Sequence, residues 1–346
     1  MSENKEVTIY DIAQELKISA ATVSRGLNDH PSISKKTKKK IQDAAKKMGY
    51  RSNTFASNLR RQKTDTIGVI VPRLNSSFMS DVLAGIEKIA NEEGYNLIIS
   101  QSLETEKKEM VNAATMFNNR VDGLLVSLAY DTKSFEHFQP FIDKNIPLIF
   151  FDRVYTHNDC STIVIDNFKA AYDMTNHLIG QGCKSIMHIT GDLTQNVYAD
   201  RLRGLKSALA EHNLEFKPEM LIINNLGTKE GIEAAQKILK MPVLPDGVFV
   251  ANDNCAVNCM LELKRNGVKI PEDILFAGFN NDQITTIIEP HLTSIDYKGY
   301  EMGMVAAQTL INHLNQTQNL NLTQSIVMRH ELIIRESSLK PKKDNL

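Results

Sequence analysis

The chain has 346 residues, of which 42% are hydrophobic and 23% charged, and its formal net charge is −1. This length allows two or three domains with a sizeable core, and the composition excludes a disordered or fibrous protein. Residues 1–64 carry 14 Lys or Arg and 6 Asp or Glu, a balance of +8, so the remainder has a balance of −9. This asymmetry favours a small basic domain that meets a polyanion, joined to an acidic body. A solvated basic face is the alternative reading of the charge alone.

The cysteines and the N-terminus exclude several classes of protein. The four cysteines form no CxxC pair and have no histidines at zinc spacing, so we expect reduced core thiols, no metal and no cofactor. They are Cys160, Cys183, Cys255 and Cys259. The first residues are polar and no apolar run has the length of a membrane span, so we expect no signal peptide, no membrane contact and a cytoplasmic protein.

Two short helices separated by a three-residue turn are predicted near the start of the chain. Thr8 and Asp11 have the spacing of a capping box, and apolar residues then recur at helical spacing. Ser19 can cap a second helix, in which Val23 and Leu27 share one face. This pattern is the helix-turn-helix signature, in which the second helix lies in the major groove of DNA.

A third helix and a polar segment follow. Ser34 can cap a helix from about Lys35 to Met48, with Gly49 as its stop. Five lysines lie within residues 35–40, at the start of this helix, where the helix dipole disfavours positive charge. Contact with DNA phosphates would compensate for this placement. The alternative explanation is that the lysines only keep the protein soluble. Residues 50–63 are too polar for a core element, but they could fold as a short helix against a partner.

From Asp65 onward, short apolar runs alternate with helical stretches. The sequence predicts strands at 67–71, 97–99, 121–127, 147–151, 185–190, 247–251 and 274–279, and helices at 80–93, 106–118, 168–181, 198–212, 229–240 and 255–265. This alternation predicts an α/β fold of doubly wound parallel sheets with helices on both faces, and roughly ten strands suit two sheets. Ligands in such folds lie beyond the carboxyl ends of the strands.

A set of motifs recurs in the order and spacing of one known family. They are VTIYDIA at 7–13, ATVSRGLN at 21–28, GY at 49–50, NxxAxxL at 53–59, IGVIVP at 67–72, VDGL at 121–124, FDR at 151–153, RLRG at 201–204, AND at 251–253 and GFN at 278–280. Together they resemble the LacI (lactose repressor) family of transcription regulators, over residues 7 to about 336.

The resemblance implies a domain organisation. Residues 1–49 would form a three-helix helix-turn-helix DNA-binding domain, 50–63 a hinge helix, and 64–346 a periplasmic-binding-protein-like core of two doubly wound subdomains. The N-subdomain would span about 64–162 and 293–323, and the C-subdomain about 163–292 and 324–338, with crossovers near 161–163, 292–293 and 322–325. A homodimer is expected, because no leucine heptads for a tetramer bundle follow Arg335.

The resemblance also assigns roles on double-stranded DNA. Arg25 is the best candidate for base readout, because a guanidinium can bridge O6 and N7 of guanine. Ala20 and Ala21 occupy positions that set operator preference in the family, and Leu59 matches a wedge that opens the central base step of a pseudo-palindromic operator. Asn28 is a further contact or a C-cap. The remaining expected contacts, mostly to phosphates, are Tyr10, Ser19, Thr22, Ser24, Ser34, Thr37, Asn53 and Ala56; for Thr22 and Ser24, ordinary solvated helix is the alternative.

A second set of residues is expected in an effector cleft. Phe78, in the loop after the first core strand, would lie against a sugar ring, with a core role as the alternative. Asp152 and Arg153 would bind vicinal hydroxyls, or form a mutual salt bridge. Arg201 begins the RLRG motif. Asn252, Asn280 and Tyr297 complete the set.

The chain departs from the family pattern in three places. Asn280 and Asn281 replace a common Asp, Leu226 replaces an aromatic, and Asn258 replaces a glycine. The ligand therefore does not transfer from any relative; a sugar or sugar phosphate is favoured, with a purine-type co-repressor second.

The leading hypothesis is a DNA-binding transcriptional regulator, and most simply a repressor, controlled allosterically by a small ligand. A solute-binding protein shares the core fold, but the basic N-terminal domain argues against it. A sugar-processing enzyme with an accessory DNA-binding domain is the other alternative. No GxxxxGK[ST], HExxH or GxSxG motif is present, so we expect no enzyme activity.

Overall fold

The structure is a computed structural model that describes residues 7–50, 63–155, 157, 160–315 and 323–340. The chain forms two compact units, residues 1–64 and residues 65–346, and each is described by itself. The expected hinge contacts Asn53, Ala56 and Leu59 lie outside the described residues.

Three helices form the N-terminal unit: α1 (Ile9–Leu16), α2 (Ala20–Leu27) and α3 (Lys35–Met48). The Ser19 hydroxyl accepts a hydrogen bond from the Thr22 backbone N–H at 3.1 Å, and the Ser34 hydroxyl accepts one from the Thr37 N–H at 3.2 Å. Gly49 ends α3 with φ 70°, a left-handed conformation that glycine adopts without strain. The expected caps of α2 and α3 are confirmed.

A small apolar cluster holds these helices together. Ile12, Val23 and Ile41 are fully buried, one from each helix. Gly26 permits the contact between α2 and α3, because a Cβ at this position would lie 2.4 Å from Cδ1 of Ile41. The side chains of α2 that point away from this cluster are therefore free to face a partner.

The larger unit alternates strands and helices. The elements are β1 (Thr66–Val71), α4 (Ser77–Glu92), β2 (Asn96–Gln101), α5 (Glu106–Asn118), β3 (Gly123–Val126), α6 (Gln139–Asp143), β4 (Leu148–Phe151), β5 (Ser161–Ile165), α7 (Asn167–Gly180), β6 (Ile186–Thr190), α8 (Asn196–Glu211), β7 (Leu221–Ile223), α9 (Thr228–Leu239), β8 (Gly247–Val250), α10 (Asp253–Arg265), β9 (Leu275–Ala277), β10 (Ser294–Asp296), α11 (Gly299–Leu314), β11 (Ser325–Met328) and β12 (Glu331–Ile333).

Two parallel sheets organise this unit. The first has the strand order β11-β5-β4-β3-β1-β2 and the second has the order β7-β6-β8-β9. We call the first sheet with its helices the first lobe and the second sheet with its helices the second lobe. A short antiparallel pair, β10 with β12, runs beside them. The doubly wound α/β fold expected from the sequence is confirmed.

Two of the expected crossovers lie elsewhere. Residues 161–163 lie in β5, and Ser325, at the end of the expected 322–325 crossover, begins β11. These two strands pair in parallel within the first sheet, with Ser325 opposite Thr162. The chain therefore leaves the first lobe only after Ile165 and again after Met328. The expectation that placed 163–165 and 325–328 in the C-subdomain is wrong. The sheet that a strand joins depends on the strand it pairs with, and that strand can be distant in the sequence.

Candidate DNA-reading surface and effector cleft

One face of α2 is exposed. Ala21, Arg25 and Asn28 are solvent-exposed, whereas Val23 and Gly26 are buried. This is the division that a helix reading a DNA groove needs, since one face packs and the other extends its side chains outward.

The two alanines of α2 differ in their surroundings. Ala20 is half-buried and packs against the cluster of Ile12, Val23 and Ile41, whereas Ala21 is exposed. Ala21 is therefore the methyl group that a thymine methyl can meet without any shift of the helix.

Hydroxyl pairs mark the start of α2 and of α3. The side-chain oxygens of Ser19 and Thr22 lie 2.8 Å apart, and those of Ser34 and Thr37 lie 2.9 Å apart. Helix N-termini favour phosphate, because their first N–H groups and the helix dipole attract negative charge. Tyr10, on α1, is 70% exposed.

Two residues have structural roles in this unit. The Asn28 side-chain amide donates to the Ser24 carbonyl at 2.9 Å, which makes Asn28 the C-cap of α2 and gives the C-cap alternative an observed bond. Lys38 lies 2.6 Å from the Asp29 carboxylate and is mostly buried, so it fastens the turn after α2. This placement differs from the phosphate contact expected of the lysine cluster, whose other members Lys35, Lys36, Lys39 and Lys40 are exposed.

A cleft of about 580 Å³ lies in the larger unit. Loops at the carboxyl ends of strands of both parallel sheets line it, as doubly wound folds predict. All seven residues expected from the sequence line this cleft: Phe78, Asp152, Arg153, Arg201, Asn252, Asn280 and Tyr297. Residues that sequence reasoning missed line it as well: Arg73, Asn75, Ser76, Glu104, Tyr198, Asn225, Glu230, Asn254 and Asp282.

Aromatic side chains form one wall of the cleft. Phe78 lies in the first turn of α4, not in the preceding loop as expected, because Ser76 caps this helix three residues earlier than predicted. Its ring centroid lies 4.2 Å from that of Tyr297, which packs in turn on Phe279 at 5.6 Å. Phe78 is thus both a core residue and a cleft residue.

Asp152 and Arg153 have separate partners instead of a mutual salt bridge. Asp152 has φ 59° and is buried, and burial raises the pKa of its carboxyl group. The Arg153 guanidinium lies 2.6 Å from the carboxylate of Glu104, in the loop after β2, and also donates to the Tyr198 hydroxyl at 3.3 Å. Glu104 lies three residues after the carboxyl end of β2, which is the signal that could have identified it.

Arg201 is held rigidly at the back of the cleft. Its Nε donates to the Asn167 side-chain oxygen at 2.9 Å, and its guanidinium donates to the Ala251 carbonyl at 3.0 Å. The guanidinium carbon also lies 3.4 Å from the ring centroid of Phe279. The remaining donors of Arg201 are therefore fixed in direction before any ligand binds.

A carboxylate organises the loop after β9. Asp253 is fully buried, and its carboxylate accepts hydrogen bonds from the Asp282 N–H and the Ser294 hydroxyl, both at 2.8 Å. Burial, with Asp282 nearby, raises the pKa of Asp253 to about 7. Asn280 in this loop has φ 116°, and Asn252 caps α10 through the Cys255 N–H at 3.1 Å.

Two other kinds of site are absent from the described residues. No described helix is long and apolar enough to cross a membrane. Likewise, His, Cys, Asp and Glu side chains form no group of three that could hold a metal ion in the part of the chain that the structure describes. All four cysteines are buried.

Comparisons with known proteins match both units of the chain. Residues 8–53 match the model of bacterial regulatory proteins of the lacI family, and residues 175–338 match a periplasmic binding protein-like domain. Catabolite control protein A of Priestia megaterium is 31% identical, over 96% of this chain and 99% of that protein. The HTH-type transcriptional regulator RegA of Clostridium saccharobutylicum is 33% identical over the same shares.

A solved structure supports the fold. The lac repressor dimer bound to operator and the anti-inducer ONPF superposes with a TM-score of 0.85 at 21% identity, covering 97% of this chain and 100% of that one. With two whole-length relatives above 30% identity, the resemblance seen in the motifs is confirmed. The chain therefore belongs to the lacI family of bacterial regulatory proteins.

Proposed function

We propose that this protein is a sequence-specific DNA-binding transcriptional regulator, acting as a repressor, whose operator binding is controlled by a small ligand in the cleft. The observation that carries the proposal is the presence, in one chain, of an exposed reading face on α2 and a polar cleft lined by all seven expected residues. Like the lac repressor dimer bound to operator, it would bind operator DNA as a homodimer. A pseudo-palindromic operator, with Leu59 as the wedge at its central base step, is the expectation that comes from the family resemblance of the sequence motifs.

A carbohydrate suits the cleft. Phe78 and Tyr297 offer an aromatic wall to the flat face of a sugar ring, and side-chain amides and carboxylates lie around them. Vicinal hydroxyls can both donate and accept, which matches this mixture of side chains. A purine-type co-repressor would need a partner for each ring nitrogen and is the weaker fit.

Ligand control follows from hydrogen bonds that join the two lobes. Asn196, at the start of α8, accepts from the Val154 N–H at 3.1 Å and donates to the Asp152 carbonyl at 3.2 Å. A ligand that contacts both lobes changes the stability of this arrangement relative to a more open one. Coupling energies between such sites are typically about 1–3 kcal/mol.

An enzyme is the second candidate, and the cleft gives it little support. Arg201 is bonded to protein groups, and Asp152 with Arg201 serves binding as readily as catalysis. The relatives of known function are regulators. A turnover assay on candidate sugars that detected product would favour the enzyme.

The test is selection of binding sites from random double-stranded DNA, followed by affinity measurements with variants. Arg25→Ala is expected to relax base preference at one position in each half-site, because a bidentate guanidinium–guanine pair discriminates by about 1–3 kcal/mol. Lys39→Ala, an exposed lysine on α3, is the matched control and should weaken binding equally on all sequences. No selected sequence, or equal weakening by both variants, would contradict the proposal.

A further inference from the structure

All three arginines that line the cleft have partners within the protein. Arg153 pairs with Glu104 at 2.6 Å, and Arg73 lies 3.6 Å from the same carboxylate. Arg201 is bonded to Asn167 and to the Ala251 carbonyl. An anionic ligand group would therefore have to compete with Glu104 for two of the three guanidinium groups.

Besides the remaining donors of Arg201, carboxylates of the cleft are left for a ligand. Asp152, Glu230 and Asp282 line it, and none of the three forms a salt bridge with any described residue. With Glu104, the described lining residues include four carboxylates and three arginines. The cleft thus presents acceptors, in surroundings that disfavour added negative charge.

Asp282 differs from the other three because it lines the cleft from the second lobe and is influenced by a carboxylate of the first lobe. It lies in the loop after β9 of the second lobe, and its backbone N–H is fixed by Asp253. Burial raises the pKa of Asp282 to about 6. A hydrogen bond from the Asn280 side chain lowers this pKa, whereas the charge of Asp81, on α4 of the first lobe, raises it further. The negative charge of a first-lobe carboxylate therefore acts on Asp282 at this edge of the cleft.

Asn280, which replaces an Asp common in the family, suits the neighbouring carboxylate of Asp282. An Asp at 280 would add a carboxylate beside Asp282, whereas the Asn280 amide donates a hydrogen bond to it. The charged acceptor that the motif lacks at 280 is supplied two residues later.

We propose that the cleft takes an unphosphorylated sugar whose hydroxyl or ammonium donors bind Asp282, and that Asp282 sets specificity against sugar phosphates. The proposal deepens the proposed function, since it takes the cleft as the effector site. A hydroxyl or ammonium donor forms a charge-assisted hydrogen bond with the carboxylate and relieves its repulsion with Asp81. A phosphate group would add to that repulsion.

The first experiment is a thermal-shift panel on the full chain. It contains pentoses, hexoses, disaccharides and amino sugars, each paired with its phosphate ester, and includes ribose, cellobiose, glucosamine, ribose 5-phosphate and glucose 6-phosphate. We expect at least one unphosphorylated sugar to raise the unfolding temperature and its phosphate ester to leave it unchanged at the same concentration. A shift with phosphorylated sugars only, or with no sugar, overturns the proposal.

The second experiment uses the panel sugar that binds. Asp282→Asn should weaken its binding about tenfold or more, since hydrogen bonds to charged groups are the strong ones, and should narrow the discrimination against the phosphate ester. Asp200→Asn is the matched control, because Asp200 pairs with Arg203 on α8 and is absent from the cleft lining; it should bind the sugar like the parent chain. Unchanged affinity in Asp282→Asn overturns its role.

Two measurements distinguish a failure of this inference from misfolding of the variant and from a failure of the proposed function. The unfolding temperature of ligand-free Asp282→Asn should equal or exceed that of the parent, because the change removes a buried charge with a raised pKa. Selection of operator DNA by the parent chain tests the proposed function independently. A chain that selects DNA but binds no unphosphorylated sugar overturns this inference and leaves the regulator intact.

Discussion

Tyr130 joins the two lobes, and its removal should loosen them. It lies in the loop after β3 of the first lobe, and its hydroxyl donates to the Asn224 carbonyl at 2.8 Å and accepts from the Asp192 N–H. Both partners lie in loops of the second lobe, after β7 and β6. The loop is anchored from behind by the fully buried Glu109, whose carboxylate accepts from the Ala129 N–H at 2.6 Å.

The change Tyr130→Phe keeps the ring and deletes only the hydroxyl. The ring contacts with Arg153 and Tyr198, at 5.8 and 6.0 Å, need no hydroxyl. Leaving a donor and an acceptor unpaired costs about 1–3 kcal/mol for each buried group. Because this site is only half-buried, we take a total of about 2 kcal/mol from the lower end of that range.

Amide hydrogen exchange measures this effect without any ligand. If the lobes separate more readily by about 2 kcal/mol, protection of the Asp192 amide falls about thirtyfold. Amides inside β6, such as that of Ile189, should keep their protection. Tyr300→Phe is the control, since this tyrosine is 41% exposed on α11. Unchanged protection at Asp192 in Tyr130→Phe would refute the view that its hydroxyl joins the lobes.

Two further predictions concern stability. Burial lowers the pKa of His188 to about 4, so the unfolded chain takes up a proton near pH 6.5 before the folded one does, and stability is lost as the pH falls from about 6.5 to 4. Between pH 7 and 5, the free energy of unfolding measured in urea should fall by about 2 kcal/mol, and it should fall by less in His188→Gln. The same dependence of this free energy on pH in both proteins would contradict the prediction. Gly303→Ala should destabilise by at least about 1–3 kcal/mol, because its Cβ would lie 2.0 Å from the Val82 carbonyl where α11 crosses α4. Gly180→Ala, which meets no atom within 4 Å, should leave the urea midpoint unchanged or raise it, and an equal loss in both variants would argue against close helix contact.

Local chemistry determines most of the elements, and these were predictable. The side-chain caps at Ser19 and Ser34 and the glycine stop at Gly49 depend on residues within three positions of each other, so the sequence alone identifies them. The parallel strands are equally visible, because strands covered on both faces consist of continuous apolar runs. Asp152 directly follows β4 and was predicted at this strand end, whereas Arg201 lies within α8 and was identified from the RLRG motif of the family resemblance.

Long-range pairing was not predictable. The sequence places Asp152 beside Arg153 and so suggests a salt bridge between neighbours. The guanidinium instead meets Glu104, from a loop 49 positions earlier. The same limit applies to β11, whose partner strand β5 lies more than 150 positions away. Neither residue spacing nor periodicity shows which distant loops and strands come into contact, because only the tertiary fold determines this.

The exposed face of α2 limits how much free energy base contacts can contribute to discrimination between operator and non-specific DNA. Arg25 is the exposed side chain of α2 able to form a bidentate contact with guanine, and Ala21 adds only a methyl group. In a dimer, two such arginines discriminate by about 2–6 kcal/mol in total. Specific operators typically exceed non-specific DNA by about 4–10 kcal/mol. The difference must come from contacts outside α2 and from deformation of the DNA between the half-sites, so base changes at the operator centre should weaken binding as much as changes opposite Arg25.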